Sequence, residues 1–389
     1  MKITNRLAFI TILATATSLA TVADGAISGP CSSCHTMHYS QNGAAIVGHP
    51  GGPNATLLID DCIGCHTGTN AGNAGTGAAV PPYVMQATEP DYGGPGTGGV
   101  GTGTETGSTT LAGGNFYWVD AGDDTAGHNV SNLPNNPTDD TLGDTPPGGA
   151  IPGGGSLICA GTNGCHGERD VADNASAMKG THHSSATNRV SDAYRFLEYD
   201  STAGHEIDDY EDPRYEWAAQ LATDTHNQYK GLDRTADTLT DYTTISALCA
   251  SCHGDFHNGA GTLGVIDTGT WETDPWIRHP IDFDMNTVGG NVTGATGTEY
   301  AAYGGSGVND YQVIAPVGST DAAMGNAATV KSTVLQAAGD AIVTCISCHR
   351  AHGTPYADLL RWDYSAACLA GTDDADCGCF KCHTTKDAG

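Results

Sequence analysis

The sequence predicts a single domain that is mostly irregular coil with a few short α-helices, and three observations predict it. Large apolar side chains are scarce: aromatics make up 7% of the 389 residues, against 54 glycines. That is too little apolar mass for an ordinary core of this length. Stretches with helical or strand periodicity are few and short. Finally, five segments share one spacing, Cys-x-x-Cys-His, at Cys31–His35, Cys62–His66, Cys249–His253, Cys345–His349 and Cys379–His383.

Taken from the N-terminus, residues 1–23 read as a signal peptide. Lys2 and Arg6 supply the positive start, Leu7 to Val22 is apolar, and small residues lead to cleavage after Ala23. The apolar run is short and broken by Thr and Ser, unlike a retained span, and no later segment suits a bilayer. The mature chain, 24–389, is expected to be one domain with no transmembrane segment. Residues 68–115 are Gly/Thr-rich and 131–156 are rich in Pro, Asn, Asp and Gly, so both read as coil. Pro213 to Tyr229 has Pro in a first turn and Tyr215, Ala218, Ala219 and Ala222 at helical spacing. Val190 to Tyr199 and Ala327 to Ala338 are weaker helical patterns. Thr244 to Cys252 reads as a short helix leading into its Cys-x-x-Cys-His segment. No stretch is rich in strand residues.

Cys-x-x-Cys-His is the attachment pattern of c-type haem. The two thiols add across the two vinyl groups, and the adjacent His becomes an axial iron ligand. With 14 Cys and 16 His, chance supplies on the order of 0.02 such patterns in the whole chain. A sixth site is irregular: Cys159 and Cys165-His166 flank Ala160-Gly161-Thr162-Asn163-Gly164. The small residues let that longer loop bulge so that both sulfurs reach the porphyrin; a disulfide beside an unrelated His is the other reading. Six haem c groups then supply the missing apolar mass, as a chain of stacked haems forming the core. Cys368 and Cys377 remain. A disulfide across the eight intervening residues suits an exported chain; alternatively Cys377 replaces Cys379 in the last site.

The net charge of −29 argues against nucleic-acid partners, which need a basic surface. Asp120, Asp123, Asp124 and Asp139, Asp140, Asp144 lack EF-hand spacing and read as solvated loops, not as Ca²⁺ sites.

Histidine supply bears on the chemistry. Six of the 16 His are proximal: His35, His66, His166, His253, His349 and His383. Ten remain: His38, His49, His128, His182, His183, His205, His226, His257, His279 and His352. Six distal ligands can be drawn from them, and iron with two imidazoles has no open position. His38 and His352 follow a proximal His by three residues and His257 by four. Trans ligand Cα atoms lie roughly 12–13 Å apart, whereas three residues span at most ~10–11 Å. Four could just reach, but the straight line passes through the ring. These histidines therefore serve a different haem, which ties each haem to its neighbour.

The order of blocks resembles the OmcS-type hexahaem cytochromes, which polymerise into extracellular nanowires. The blocks are Cys-Ser-Ser-Cys-His-Thr-Met-His from Cys31, Gly-His-Asn-Val from Gly127, Asp-Ala-Tyr-Arg from Asp192, and Cys-Ala-Ser-Cys-His-Gly-Asp-Phe-His-Asn from Cys249. Ile-Arg-His-Pro from Ile277, Cys-Ile-Ser-Cys-His-Arg-Ala-His from Cys345 and the final Cys-Phe-Lys-Cys-His complete the series. The loops between them do not match. The resemblance implies bis-His ligation of six haems in a continuous chain. It implies distal ligands at His128, His257, His279 and His352, and His38 ligating the fifth haem of the next subunit. The sixth family ligand falls in an Asp-Pro-His after the third attachment site. Here Gly167-Glu168-Arg169 stands instead, with His182 or His183 as the nearest replacement.

The expected function is extracellular long-range electron transfer by identical subunits in a helical filament, passing electrons from redox donors to extracellular acceptors, with no enzymatic step. Export places the chain in an extracellular filament or at the cell surface, or alternatively in the periplasm. A monomeric periplasmic shuttle and a multihaem reductase with one open haem are the alternatives. The reductase reading lacks a variant attachment site ending in Lys and a basic cluster for an anion.

Overall fold

A computed structural model describes residues 30–38, 40–41, 44–45, 57–69, 82–90, 110–135, 138–183, 194–210, 228–234, 239–257, 279, 281–286, 303, 311–312, 314–320, 333–369 and 377–383. The signal peptide lies outside them. As the composition predicts, the described chain is mostly coil with short helices. These are α1 Cys62–Cys65, α2 Tyr117–Asp120, α3 Asn174–Ala177, α4 Ile245–Ala250, α5 Gly254–His257 and α6 Cys379–Cys382. Two-residue antiparallel ladders pair β1 Ser40–Gln41 with β2 Ala44–Ala45, β3 Asp209–Tyr210 with β4 Gln228–Tyr229, and β5 Phe283–Asp284 with β6 Ile342–Val343.

The longest of these helices, α4, is the one the sequence placed before the fourth haem motif. The Thr244 hydroxyl caps it by accepting from the Ala247 N–H at 3.2 Å. Its face of Ile245, Ala247 and Leu248 is buried. The other helical patterns fare differently. Over 194–199 the chain makes a 3₁₀ turn in which Arg195 and Phe196 both take φ of 58°. Leu335, at φ 59°, interrupts any helix over 333–338. Of Pro213 to Tyr229 only the last two residues are described, and they form β4. Over 194–199 and 333–338 apolar spacing was present, but the described backbone turns and carries Leu197 and Val334 into the clusters beside Cys165 and Cys382.

Among the described residues, apolar side chains do not gather in one core but form four small clusters, and each packs against attachment cysteines. Leu197, Ile207, Ile245 and Leu248 surround Cys165. Phe116, Val119 and Val130 lie against Cys159. Met285, Tyr303 and Val334 lie against Cys382. Ile314 and Trp362 lie against Cys348 and Cys379. Cys368 and Cys377 are joined as a disulfide, so Cys377 is not available to the last site.

The acidic clusters organise loops. Asp120 accepts from the Asn135 backbone and side chain, Asp124 from the Asp140 N–H at 2.9 Å, and Asp139 from the Thr141 N–H at 2.7 Å. Among the described residues they do not converge into a cation site.

Candidate haem sites

Each Cys-x-x-Cys-His segment closes one turn in which the His N–H donates to the carbonyl of the first Cys. The distances are 2.8 Å for His35 and Cys31, 2.8 Å for His66 and Cys62, and 2.9 Å for His253 and Cys249. They are 3.2 Å for His349 and Cys345 and 2.8 Å for His383 and Cys379. The irregular segment reaches the same end by another route. The His166 N–H donates to the Cys159 carbonyl at 3.1 Å, and the Cys165 N–H donates to the same oxygen at 3.2 Å. The extra residues loop out between Gly161, at φ 85°, and Gly164, whose N–H returns to the Gly161 carbonyl at 2.8 Å.

Proximal rings are held by carbonyl oxygens. His66 Nδ1 donates to Pro82 at 2.7 Å, His166 to Arg195 at 2.7 Å, His253 to Pro147 at 2.8 Å and His349 to Asp358 at 2.8 Å. Protonating Nδ1 leaves Nε2 as the ligating nitrogen and raises its basicity. Burial lowers His166 to about 4, and burial reinforced by His253 lowers His128 to about 4. Both rings are therefore neutral at pH 7, the form that binds metal.

The histidines face one another in pairs. Ring centroids are 6.4 Å apart for His66 and His182, 6.2 Å for His166 and His352, 6.1 Å for His253 and His128, and 6.1 Å for His383 and His279. Two imidazoles on opposite sides of one metal ion, each with a nitrogen about 2 Å from it, stand about 6 Å apart centre to centre. The pairs therefore fit an iron between them. Each pair joins one proximal residue to one distant in sequence. His352 faces the third site and not the fifth, three residues before it. His182 faces the second site; the side chain of His183, like that of His257, lies outside the described residues. His38 is exposed. His205 is bonded through Nδ1 to Asp200 at 2.7 Å and stacked on Tyr242 at 4.4 Å, so it is occupied otherwise. His49 and His226 lie outside the described residues.

Consecutive sites are close. The Cys62 and Cys159 thiols are near enough to shift one another's titration, as are those of Cys249 and Cys345. Cys34 and Cys65, Cys165 and Cys252, and Cys348 and Cys379 are near enough to perturb one another electrostatically. The sites follow one another in space in chain order, first to sixth.

Two sets of residues escaped the sequence reading. The carbonyls at Pro82 and Pro147 each end a Pro-Pro pair, Pro81-Pro82 and Pro146-Pro147. At the odd-numbered sites, a left-handed residue precedes a leucine that bridges the proximal His. Leu57 stands at φ 60° before Leu58, Phe196 at 58° before Leu197, and Leu359 at 56° before Leu360. The recurring Leu57-Leu58, Phe196-Leu197 and Leu359-Leu360 pairs were the available signal.

Fold and sites together define a multihaem c-type cytochrome. A family model described as the doubled CXXCH motif matches residues 337–388, which contain the last two attachment segments. The chain is similar to C-type cytochrome OmcS of Geobacter sulfurreducens, with 26% identity over 379 residues, 86% of this chain and 78% of that protein. Two solved structures are similar as well. One is the outer membrane cytochrome S filament of Geobacter sulfurreducens, with a TM-score of 0.43 and 21% identity over 89% of this chain and 86% of that one. The other is the OmcS nanowire of the same organism, with a TM-score of 0.44 and 23% identity over 87% and 84%.

Proposed function

We propose that residues 24–389 form one exported domain carrying six covalent haems, each ligated by two histidines, and that copies join head-to-tail into an extracellular electron-conducting filament. The four facing histidine pairs carry this reading, because paired strong nitrogen ligands leave no position for a substrate. Haem supplies a one-electron iron couple; the protein supplies attachment, ligation and close succession. Attachment falls to Cys31 and Cys34, Cys62 and Cys65, Cys159 and Cys165, Cys249 and Cys252, Cys345 and Cys348, and Cys379 and Cys382. The shared backbone turn supports counting the Cys159–Cys165 site with the other five.

Distal ligands are His182 for the second site, His352 for the third, His128 for the fourth and His279 for the sixth. The first and fifth sites then draw on His257 and on His38 of another copy. Mass spectrometry of the mature protein is expected to show six haem additions, and the oxidised spectrum is expected to be entirely low-spin. Carbon monoxide is expected to bind the reduced protein poorly. Five additions would remove Cys159 and Cys165 from the set, and rapid stoichiometric binding of carbon monoxide at one haem would replace the conduit with a reductase.

A further inference from the structure

The third site differs from its neighbours in two independent ways. The Nδ1 of His352 is buried with no hydrogen-bond partner, alone among histidine nitrogens of the described residues. By contrast His66, His128, His166, His253 and His349 each donate Nδ1 to a carbonyl at 2.6–2.8 Å. The ring of Phe116 occupies the flank of His352, with centroids 4.9 Å apart. Gly113 closes in as well, so near that a Cβ there would meet Nδ1 at 2.8 Å. No acceptor can enter. An axial imidazole without that hydrogen bond is a weaker electron donor to its metal, which favours the reduced iron.

The second feature is charge, which the fifth site shares through Arg361, 3% exposed and within electrostatic reach of Cys348 and His349, but which among the described residues only the third site combines with an unbonded ligand Nδ1. Arg169 is 7% exposed in a chain of net charge −29. Its guanidinium bonds Ser251 Oγ at 3.2 Å, and its Nε has no partner. It lies within electrostatic reach of Cys165 and His166. Arg195, whose carbonyl holds the His166 ring, is within reach of both His166 and His352. A buried cation beside the site also favours the iron(II) state, which carries one positive charge less.

We propose that the haem between His166 and His352 has the highest midpoint potential of the six, so that a single electron entering the subunit rests there. Phe116 and Arg169 act as positioning and tuning residues through the ligand and the local field. This rests on the ligand pairing proposed above. The lengthened attachment loop and Arg169 stand together at this site.

The test is a spectroelectrochemical titration of the fully loaded protein, with haem count and low-spin spectrum checked first for each variant. His352→Met marks the haem, since a His/Met pair raises its potential; the wild-type midpoint that disappears is expected to be the highest. Phe116→Asn offers Nδ1 an acceptor and is expected to lower that midpoint, whereas Phe116→Leu leaves it in place. Arg169→Gln is expected to lower the same midpoint without altering the spectrum. The proposal is overturned if His352→Met removes a lower midpoint, or if neither Arg169→Gln nor Phe116→Asn moves the highest one in a protein with six low-spin haems. A wild type without six low-spin haems would instead overturn the functional reading beneath it.

Discussion

At the scale of single residues, the histidines sort by what each ring nitrogen touches. His182 and His183 are adjacent and chemically identical, and either could replace the ligand missing at Gly167-Glu168-Arg169. The short 3₁₀ turn Thr181–His183 and the contact of His182 with Phe196, centroids 5.3 Å apart, aim the His182 ring at His66. His182→Ala is therefore expected to convert one iron in six to a high-spin or carbon-monoxide-binding form. His183→Ala is expected to leave all six low-spin. Resonance spectra of the two variants distinguish them, and the reverse result would exchange their roles. The attachment residues were legible in sequence because thioether chemistry demands a fixed local spacing. The pairing of proximal with distal histidines was not, because partners such as His128 and His253 meet through a backbone with no periodic pattern to read.

At the scale of elements, what recurs is a clamp and not a helix. The odd-numbered sites bridge to a leucine behind a left-handed residue, and the second and fourth take the carbonyl of a Pro-Pro pair. This alternation suggests a two-site unit repeated along the chain, in keeping with the doubled-motif match over the fifth and sixth sites. Non-glycine residues pay a conformational penalty of about 1–2 kcal/mol in the left-handed region. Asp358 accepts it at φ 58° because its carbonyl then meets His349 Nδ1 at 2.8 Å. Asp358→Gly keeps that geometry without the penalty and is expected to leave the thermal midpoint unchanged or slightly higher. Asp358→Val, β-branched at the same φ, is expected to destabilise by about 1–2 kcal/mol. Thermal unfolding followed in the haem absorbance reads both, and equal effects would mean that the left-handed turn has no structural role. Sequence periodicity misread Val190 to Tyr199 for the same reason: its apolar residues serve a clamp, where the backbone reverses hand at Arg195 and Phe196.

For the whole molecule, the order of sites in space decides what assembly can do. Attachment cysteines of consecutive sites, from first to sixth, lie near enough to influence one another, so the sites follow one another as a line with two ends. A line that stops at each surface serves a shuttle; a line continued by a neighbour serves a filament. Four distal histidines face proximal ones within the subunit, but among the described residues no ring stands opposite His349. His38 is exposed beside Met37, which is 80% exposed, on the segment that follows the first site. It cannot reach behind the haem three residues before it. If His38 of one copy completes the fifth site of the next, each junction is a metal–ligand bond between unlike surfaces. Repeating such a heterologous contact without closure gives an open polymer. His38→Ala is expected to retain six attached haems, to leave one iron per subunit without its distal ligand, and to abolish or shorten filaments seen by electron microscopy. Normal filaments with every haem low-spin would assign the junction elsewhere. A wild type that stays monomeric at high concentration would make the line of sites a soluble shuttle.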